Sequence, residues 1–403
     1  MLWAGWVVLL VTAAFLLGYG ARAFLAWWRQ EEEREDEGFY QHFGSALTHL
    51  GAGRTLQAIE DLTQAARHRS DIAGLYLILG DLYRSLGQFD RAIRIHASLL
   101  PRGELTRTER AQALTGLGED YRAAGILDRA RESLRQAIEI DPRSLPALTG
   151  LSRFAIEDEL WSEAADLEER ILRVEPKRSG RTLGFIYFEM GMEALKADEE
   201  KAALRDFQKA VAVHDQIIPA HLFAGDIHHK NGRPRKAKEA WEKVIEMDPR
   251  LLHLVYDRLE QVYADEGDPA RLESICHKIA ERDPSDWRVR LLLATAENHR
   301  GNPDAAYRHL MEAVRAHPSS ISVQREIWRM TAQRGLDPRI TREMAAIHKG
   351  PGPFVDPFVC ATCRFGSRTY LWRCPQCHAW ASFTDESPAR APSAEYPAAG
   401  SGA

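Results

Sequence analysis

An acidic residue or histidine followed by proline recurs through much of the chain, at Asp141-Pro142, Glu175-Pro176, Asp248-Pro249, Asp283-Pro284 and His317-Pro318. The prolines lie 34, 73, 35 and 34 residues apart, the long interval being two periods with a small insertion. A fixed period of about 34 residues implies one supersecondary unit repeated, because such a unit cannot bury its apolar face without neighbours to stack on. Twelve residues before four of those prolines stand Ala130, Ala164, Ala237 and Ala306, small enough for two helices to approach closely; Leu272, before Pro284, is the exception.

Upstream, LGDLYRSLGQFDRAIRIHASLL (Leu79 to Leu100) and LGEDYRAAGILDRARESLRQAIEIDP (Leu117 to Pro142) carry Leu-Gly, Tyr, a turn Gly and Ala in the same order. Gly80, Gly118 and Gly225 are expected at close helix contacts, and Gly87, Gly125 and Gly232 in the turns between helices. This part of the chain resembles a tetratricopeptide array. About eight helix pairs are expected from Phe39 to Pro318, the first and seventh degenerate, followed by a helix around Ser320 to His348. The fold expected is all-α, a tetratricopeptide-repeat superhelix whose concave groove binds protein and which has no catalytic apparatus of its own. In that family pattern the first helix of each repeat lines the groove, which nominates Asp81, Arg84, Glu119, Arg122, Asp226 and Lys230 as peptide contacts. The plain alternative is that these are ordinary solvated helix positions.

Ahead of the repeats, residues Leu2 to Ala21 are apolar and uncharged, about the ~20 residues a helix needs to span hydrocarbon. Trp3, Trp6, Trp27 and Trp28 flank the run as interfacial aromatics do. A cleaved signal peptide would carry a basic residue first, and here none precedes the run, so residues 1–28 read as an uncleaved anchor. Arg22, Arg29 and Arg34 follow it, which in a bacterial inner membrane leaves the N-terminus periplasmic and the bulk of the chain cytoplasmic. Residues 29–38 form an acidic lead-in. The formal net charge of -5 offers no basic footprint for nucleic acid.

Four of the five cysteines form two C-x-x-C pairs, Cys360 with Cys363 and Cys374 with Cys377. A cytoplasmic location keeps thiols reduced, which argues against disulfides. The segment 358–384, set off by a Pro/Gly-rich linker (349–357) and a Pro/Ala/Ser-rich tail (385–403) expected to be disordered, is too short to hold a core unaided. A metal must therefore supply much of its folding energy, and four thiolates suit zinc or a single iron. The ten residues Arg364 to Arg373 are long enough for a two-stranded hairpin that returns the second knuckle to the first. A saturated tetrahedron leaves no open position for catalysis, and His378 is taken as a surface or supporting residue. Phe365, Tyr370, Trp372, Trp380 and Phe383 are expected to form an apolar skin packed on the last helices of the array. The segment resembles the rubredoxin-like or zinc-ribbon knuckle, most clearly in Cys374-Pro375-Gln376-Cys377. It departs from that pattern at Arg364, where glycine is common.

Anchor, array and four-cysteine knuckle in this order resemble the lipopolysaccharide assembly protein B family, over nearly the whole chain to Phe383. The resemblance implies an adaptor, not an enzyme, acting with the membrane-anchored ATP-dependent zinc protease to promote degradation of the lipid A pathway deacetylase. It carries over Cys360, Cys363, Cys374 and Cys377 as ligands of one iron or zinc ion. Two other classes fit less of the chain: a membrane-tethered scaffold for another envelope assembly pathway, and a rubredoxin-like electron-transfer protein.

Overall fold

The structure is a computed structural model that describes residues 37–316, 323–324, 327–329 and 358–385. The expected anchor, most of the lead-in and of the helix at Ser320 to His348, the linker and nearly all of the tail lie outside the described residues. Among the described residues no helix is long and apolar enough to cross a membrane.

The chain divides into two compact units, Met1–Arg178 and Ser179–Ala403. In the first unit the helices are α1 (residues 37–51), α2 (Thr55–His68), α3 (Ala73–Ser85), α4 (Phe89–Leu99), α5 (Arg107–Ala123), α6 (Leu127–Ile140), α7 (Leu145–Glu157) and α8 (Trp161–Val174). The second unit continues with α9 (Arg181–Lys196), α10 (Glu200–Val213), α11 (Ile218–Lys230), α12 (Pro234–Met247), α13 (Leu252–Asp265), α14 (Ala270–Arg282), α15 (Trp287–His299) and α16 (Pro303–Ala316). A 3-10 turn, Pro249–Leu251, leads into α13, and three short strands follow the helices: β1 (Phe358–Cys360), β2 (Gly366–Ser367) and β3 (Phe383–Asp385). Among the described residues each unit thus contains four helix pairs, and residues 323–324 and 327–329 of the second are also helical.

Two local devices repeat from pair to pair. The turn between paired helices places one residue at positive φ, where L side chains are strained. Gly53, Gly87, Gly125, Gly232, Gly267 and Gly301 fill six such turns, whereas Glu159 and Asp198 take the same conformation in α7–α8 and α9–α10. The second device is a small residue on the first helix facing a residue sixteen positions later on the second. Gly80 meets His96, Gly118 meets Leu134, Gly191 meets Phe207 and Gly225 meets Trp241. A Cβ at Gly225 would lie 2.4 Å from the Trp241 indole nitrogen, closer than packed atoms approach. In two other pairs the partners are polar and bond directly: Ser45 Oγ donates to Asp61 at 2.6 Å and Ser152 Oγ to Glu168 at 2.6 Å. In the last pair Ala294 and Leu310 are both buried. Only in the seventh, expected to be degenerate, is the position large and exposed, as Glu260 ahead of Cys276. Small-against-large packing at one register is what lets helices of different sequence stack at similar spacing.

Candidate metal centre and array groove

In the ribbon the strand order is β2-β1-β3, both pairings antiparallel. The hairpin expected between the two knuckles is not what forms. Instead, each knuckle is the turn of its own short pairing, the first between β1 and β2 and the second between Arg373 and Trp380, which form an isolated bridge. Closing a turn around two cysteines needs fewer residues than a connecting hairpin. It also leaves the intervening aromatics free to pack outward.

The two knuckles have the same backbone. In the first, the Cys360 amide donates to the Phe365 carbonyl and the Arg364 amide to the Cys360 carbonyl, both at 2.9 Å; in the second, Cys374 with Ala379 and His378 with Cys374 repeat both bonds at 2.9 Å. Arg364 (φ 65°) and His378 (φ 58°) hold the left-handed position that closes each turn. This explains why glycine is usual there, and gives His378 a backbone role away from the ligand set.

The four cysteine sulfurs lie within 4.8 Å of one another. Cys360 Sγ is 3.6 Å from Cys377 Sγ and Cys363 Sγ 3.5 Å from Cys374 Sγ. A disulfide would need ~2.05 Å, while a tetrahedron with metal–sulfur bonds of ~2.3 Å has edges of roughly 3.8 Å. The donor set therefore fits one tetrahedral ion, zinc or iron, held by Cys360, Cys363, Cys374 and Cys377. Desolvation raises the Cys360 thiol, but hydrogen bonds from the Ser382 hydroxyl and the Cys363 and Thr362 amides outweigh it and draw the thiol down to about 6. Cys363 is pushed up to about 12, by desolvation first and by crowding against the other sulfurs.

The ribbon docks on the second unit's helices, starting from α9 and not confined to the last ones as expected. The Trp380 indole stacks on Phe185 of α9 at 5.5 Å and 2°, and its Nε1 donates to Glu189 Oε1 at 2.8 Å. Phe358 stacks on His253 of α13 at 5.9 Å, with the Arg288 guanidinium of α15 4.8 Å from the Phe358 ring centre. Tyr370 and Trp372 pack against the core of α11–α15. Helices far apart in sequence present these partners together, and no local signal in the sequence marks them.

The six nominated groove residues lie on the first helices of their pairs, and most are engaged with one another or with neighbours. Asp81 and Arg84 pair on α3, and Arg84 Nη1 also donates to Asp120 Oδ1 of α5 at 2.8 Å. Asp120 is fully buried and its other oxygen sits 2.6 Å from His96 Nδ1 of α4. These hydrogen bonds and charges raise the Arg84 guanidinium against the opposing effect of desolvation. Glu119 and Arg122 pair on α5 at 2.8 Å. Asp226 accepts from Trp241 Nε1 at 3.1 Å and from Arg258 Nε at 2.6 Å, while Lys230 pairs with Glu200 of α10. Asp81, Arg84 and Glu119 nevertheless line one cleft of about 640 Å³ between α3, α5 and α7. Sequence reasoning missed the buried His96–Asp120 pair; the available signal was a histidine at the position where Leu134 and Phe207 stand in other repeats.

Repeated helix pairs with a C-terminal four-cysteine ribbon define a tetratricopeptide-repeat protein carrying a rubredoxin-type metal site. Tetratricopeptide repeat models match residues 71–143, 115–179 and 218–251, and the rubredoxin metal binding domain model matches residues 358–385. The chain is similar to lipopolysaccharide assembly protein B of Escherichia coli (strain K12), 24% identical over 357 residues that cover 88% of this chain and 91% of that protein. It is likewise 25% identical to lipopolysaccharide assembly protein B of Haemophilus influenzae over 311 residues, 76% of this chain and 77% of that one. A tetratricopeptide repeat protein of known structure from Parabacteroides merdae covers 77% of this chain and 99% of its own, at 13% identity and a TM-score of 0.36.

Proposed function

We propose that this protein is a non-enzymatic adaptor of lipopolysaccharide biosynthesis at the inner membrane. In this reading residues 1–28 are a single-pass anchor with a periplasmic N-terminus. The array (39–348), the linker (349–357), the metal-binding ribbon (358–384) and the tail (385–403) lie on the cytoplasmic side. The adaptor brings the lipid A pathway deacetylase to the membrane-anchored ATP-dependent zinc protease and promotes its degradation. The observations that support this are the similarity to lipopolysaccharide assembly protein B over 88% of the chain and the separate match of residues 358–385 to the rubredoxin metal binding domain model. Repeats alone would say only that protein is bound.

The groove supplies the client surface in this scheme, with Asp81, Arg84, Glu119, Arg122, Asp226 and Lys230 as contacts. Each would exchange a partner within the array for one on the client. Anchoring both partners near the bilayer raises effective concentration, so modest affinities suffice. The test is the half-life of the deacetylase in a deletion strain: the adaptor model expects it to lengthen, and an unchanged half-life sinks the model. Replacing Cys374 and Cys377 together should reproduce the deletion. Recovery from membranes of a different envelope assembly set, without protease or deacetylase, would establish a scaffold instead.

A further inference from the structure

Among the described residues the large apolar side chains that stand well exposed fall almost entirely in the first unit; only Trp328 lies in the second. Tyr40 and Leu47 are on α1, which has no preceding helix among the described residues to cover it. The others sit in the turns within helix pairs: Leu56 after Gly53, Leu86 before Gly87, Ile126 and Leu127 after Gly125, and Leu160 after Glu159. Short connections make consecutive helices antiparallel, and α3 packs beside α5 and α5 beside α7, so these turns project from one edge of the unit. The turns of the second unit occupy the same place in the repeat with Asp198-Glu199, Gly232-Arg233, Gly267-Asp268 and Gly301-Asn302. The repeat itself therefore does not require apolar turns.

Around three of these turns the charges nearly balance. Arg54 stands by Leu56, Asp90 and Arg91 by Leu86, and Asp128 and Arg129 by Ile126 and Leu127, all of them exposed. Arg91 lies over the Tyr83 ring at 5.6 Å and Arg129 over the Tyr121 ring at 5.7 Å, so an aromatic, an arginine and a protruding aliphatic recur together in successive pairs. Aromatic bodies and arginine stems with the charge held outward suit a membrane–water interface. Leu160 differs, standing among Glu157, Asp158 and Glu159, so the uncharged part of the edge ends at the third turn. Side chains on separate helix pairs form points, and not the continuous area of about 1,000 Å² that a stable protein interface needs. A bilayer accepts such separated points.

We infer that the first unit rests on the membrane surface through this edge, with Leu56, Leu86, Ile126 and Leu127 inserted at the boundary of headgroups and acyl chains. The inference rests on the reading of residues 1–28 as an anchor, and chain length allows it. From residue 28 to the start of α1 at residue 37 the chain can reach ~30 Å, whereas α1 (residues 37–51) is about 22 Å long. The turn at the far end of α1 can therefore return to the same bilayer. Tethering raises effective concentration, so a few apolar contacts suffice. The helices of the first unit then stand on the bilayer, and the cleft between α3, α5 and α7 opens along its surface, where a membrane-bound client meets it.

The test uses the metal-loaded full chain in phosphatidylcholine nanodiscs that carry a phosphatidylcholine with a diazirine near the headgroup end of one acyl chain. After illumination, labelled peptides are mapped by mass spectrometry. Label is expected on residues 1–28 and on the turns at Leu56, Leu86 and Ile126, with the turns at Asp198, Gly232, Gly267 and Gly301 at background. Ile126→Ser with Leu127→Ser alters side chains already 43% and 45% exposed, so the melting temperature should hold while labelling of the unaltered Leu86 turn falls about tenfold. Leu56→Ser, at the most exposed of the four, gives a second reading of the same loss. Label on residues 1–28 with the first-unit turns no higher than those of the second unit overturns the inference and leaves the anchor standing. Failure of the chain to enter the discs, with no label on residues 1–28, removes the anchor reading and the inference with it. Cross-links from these turns to a second copy or another protein in place of lipid, or turn labelling unchanged in the substituted proteins, also overturn it.

Discussion

The array and the ribbon meet the same difficulty, too little chain per unit to bury a core, by opposite means. In the array each helix pair borrows apolar surface from the next, and its close contacts are set by a small residue facing a large one. In the ribbon only Phe358, Val359, Cys360, Cys374 and Phe383 are buried among the described residues of 358–385, and two of these five are metal ligands. The array therefore distributes its stability over many replaceable contacts, whereas the ribbon concentrates it in one point. Loss of a contact should be graded in the first and all-or-none in the second.

The widest contrast comes from removing the metal. Chelation, or Cys374→Ser with Cys377→Ser, withdraws binding energy of about 10–16 kcal/mol and should unfold the ribbon while the helices persist. Far-ultraviolet circular dichroism should stay nearly constant as tryptophan fluorescence shifts, because Trp380 leaves Phe185. A parallel collapse of the helical signal would show the array to be dependent on the ribbon.

Within the array, Asp120→Ala takes the carboxylate from the buried His96 and one of the two carboxylates from the half-buried Arg84, and should cost about 3–5 kcal/mol. Hydrogen exchange should locate that loss in α3–α5; uniform loss over the first unit would mean its repeats are less separable than supposed. Gly225→Ala drives a methyl into Trp241 and should cost about 1–3 kcal/mol in thermal unfolding. Adding Trp241→Leu should recover part of this, since Ala294 and Leu310 already coexist at the same register.

The ribbon can also be strengthened. Arg364→Gly relieves a left-handed residue and should gain about 1 kcal/mol, read as slower metal loss to a chelator. The smallest effect concerns pH. Burial holds the His221 imidazole below its ordinary value, so the unfolded chain binds a proton more readily than the folded one. That contribution is complete above about pH 6.5 and is lost as pH falls toward the lower folded value. The decline of the second unit's melting temperature between neutral and mildly acidic pH should flatten in His221→Asn.

Much of this was visible along the chain. The proline period, Gly80, Gly118, Gly225 and the turn glycines mark the repeats because each obeys a local rule, a close approach or a left-handed turn. The four cysteines announce a metal site because their spacing within each knuckle is itself the geometry. Illegible were the partners that two elements share: Asp120 beneath Arg84, Glu189 waiting for Trp380, and Arg288 of α15 against Phe358. Such residues are unremarkable one at a time, and periodicity cannot tell a solvated arginine from one facing an aromatic wall.

The amino-acid sequence by itself determined the helix pairs, their register and the ligand set, since these follow from spacings of a few tens of residues or fewer. Only the tertiary structure decided that the groove charges are largely engaged by one another and that the ribbon reaches back to α9. Those outcomes depend on which side chains meet across nearly two hundred residues, as Glu189 and Trp380 do. Close packing, not local preference, selects such pairs.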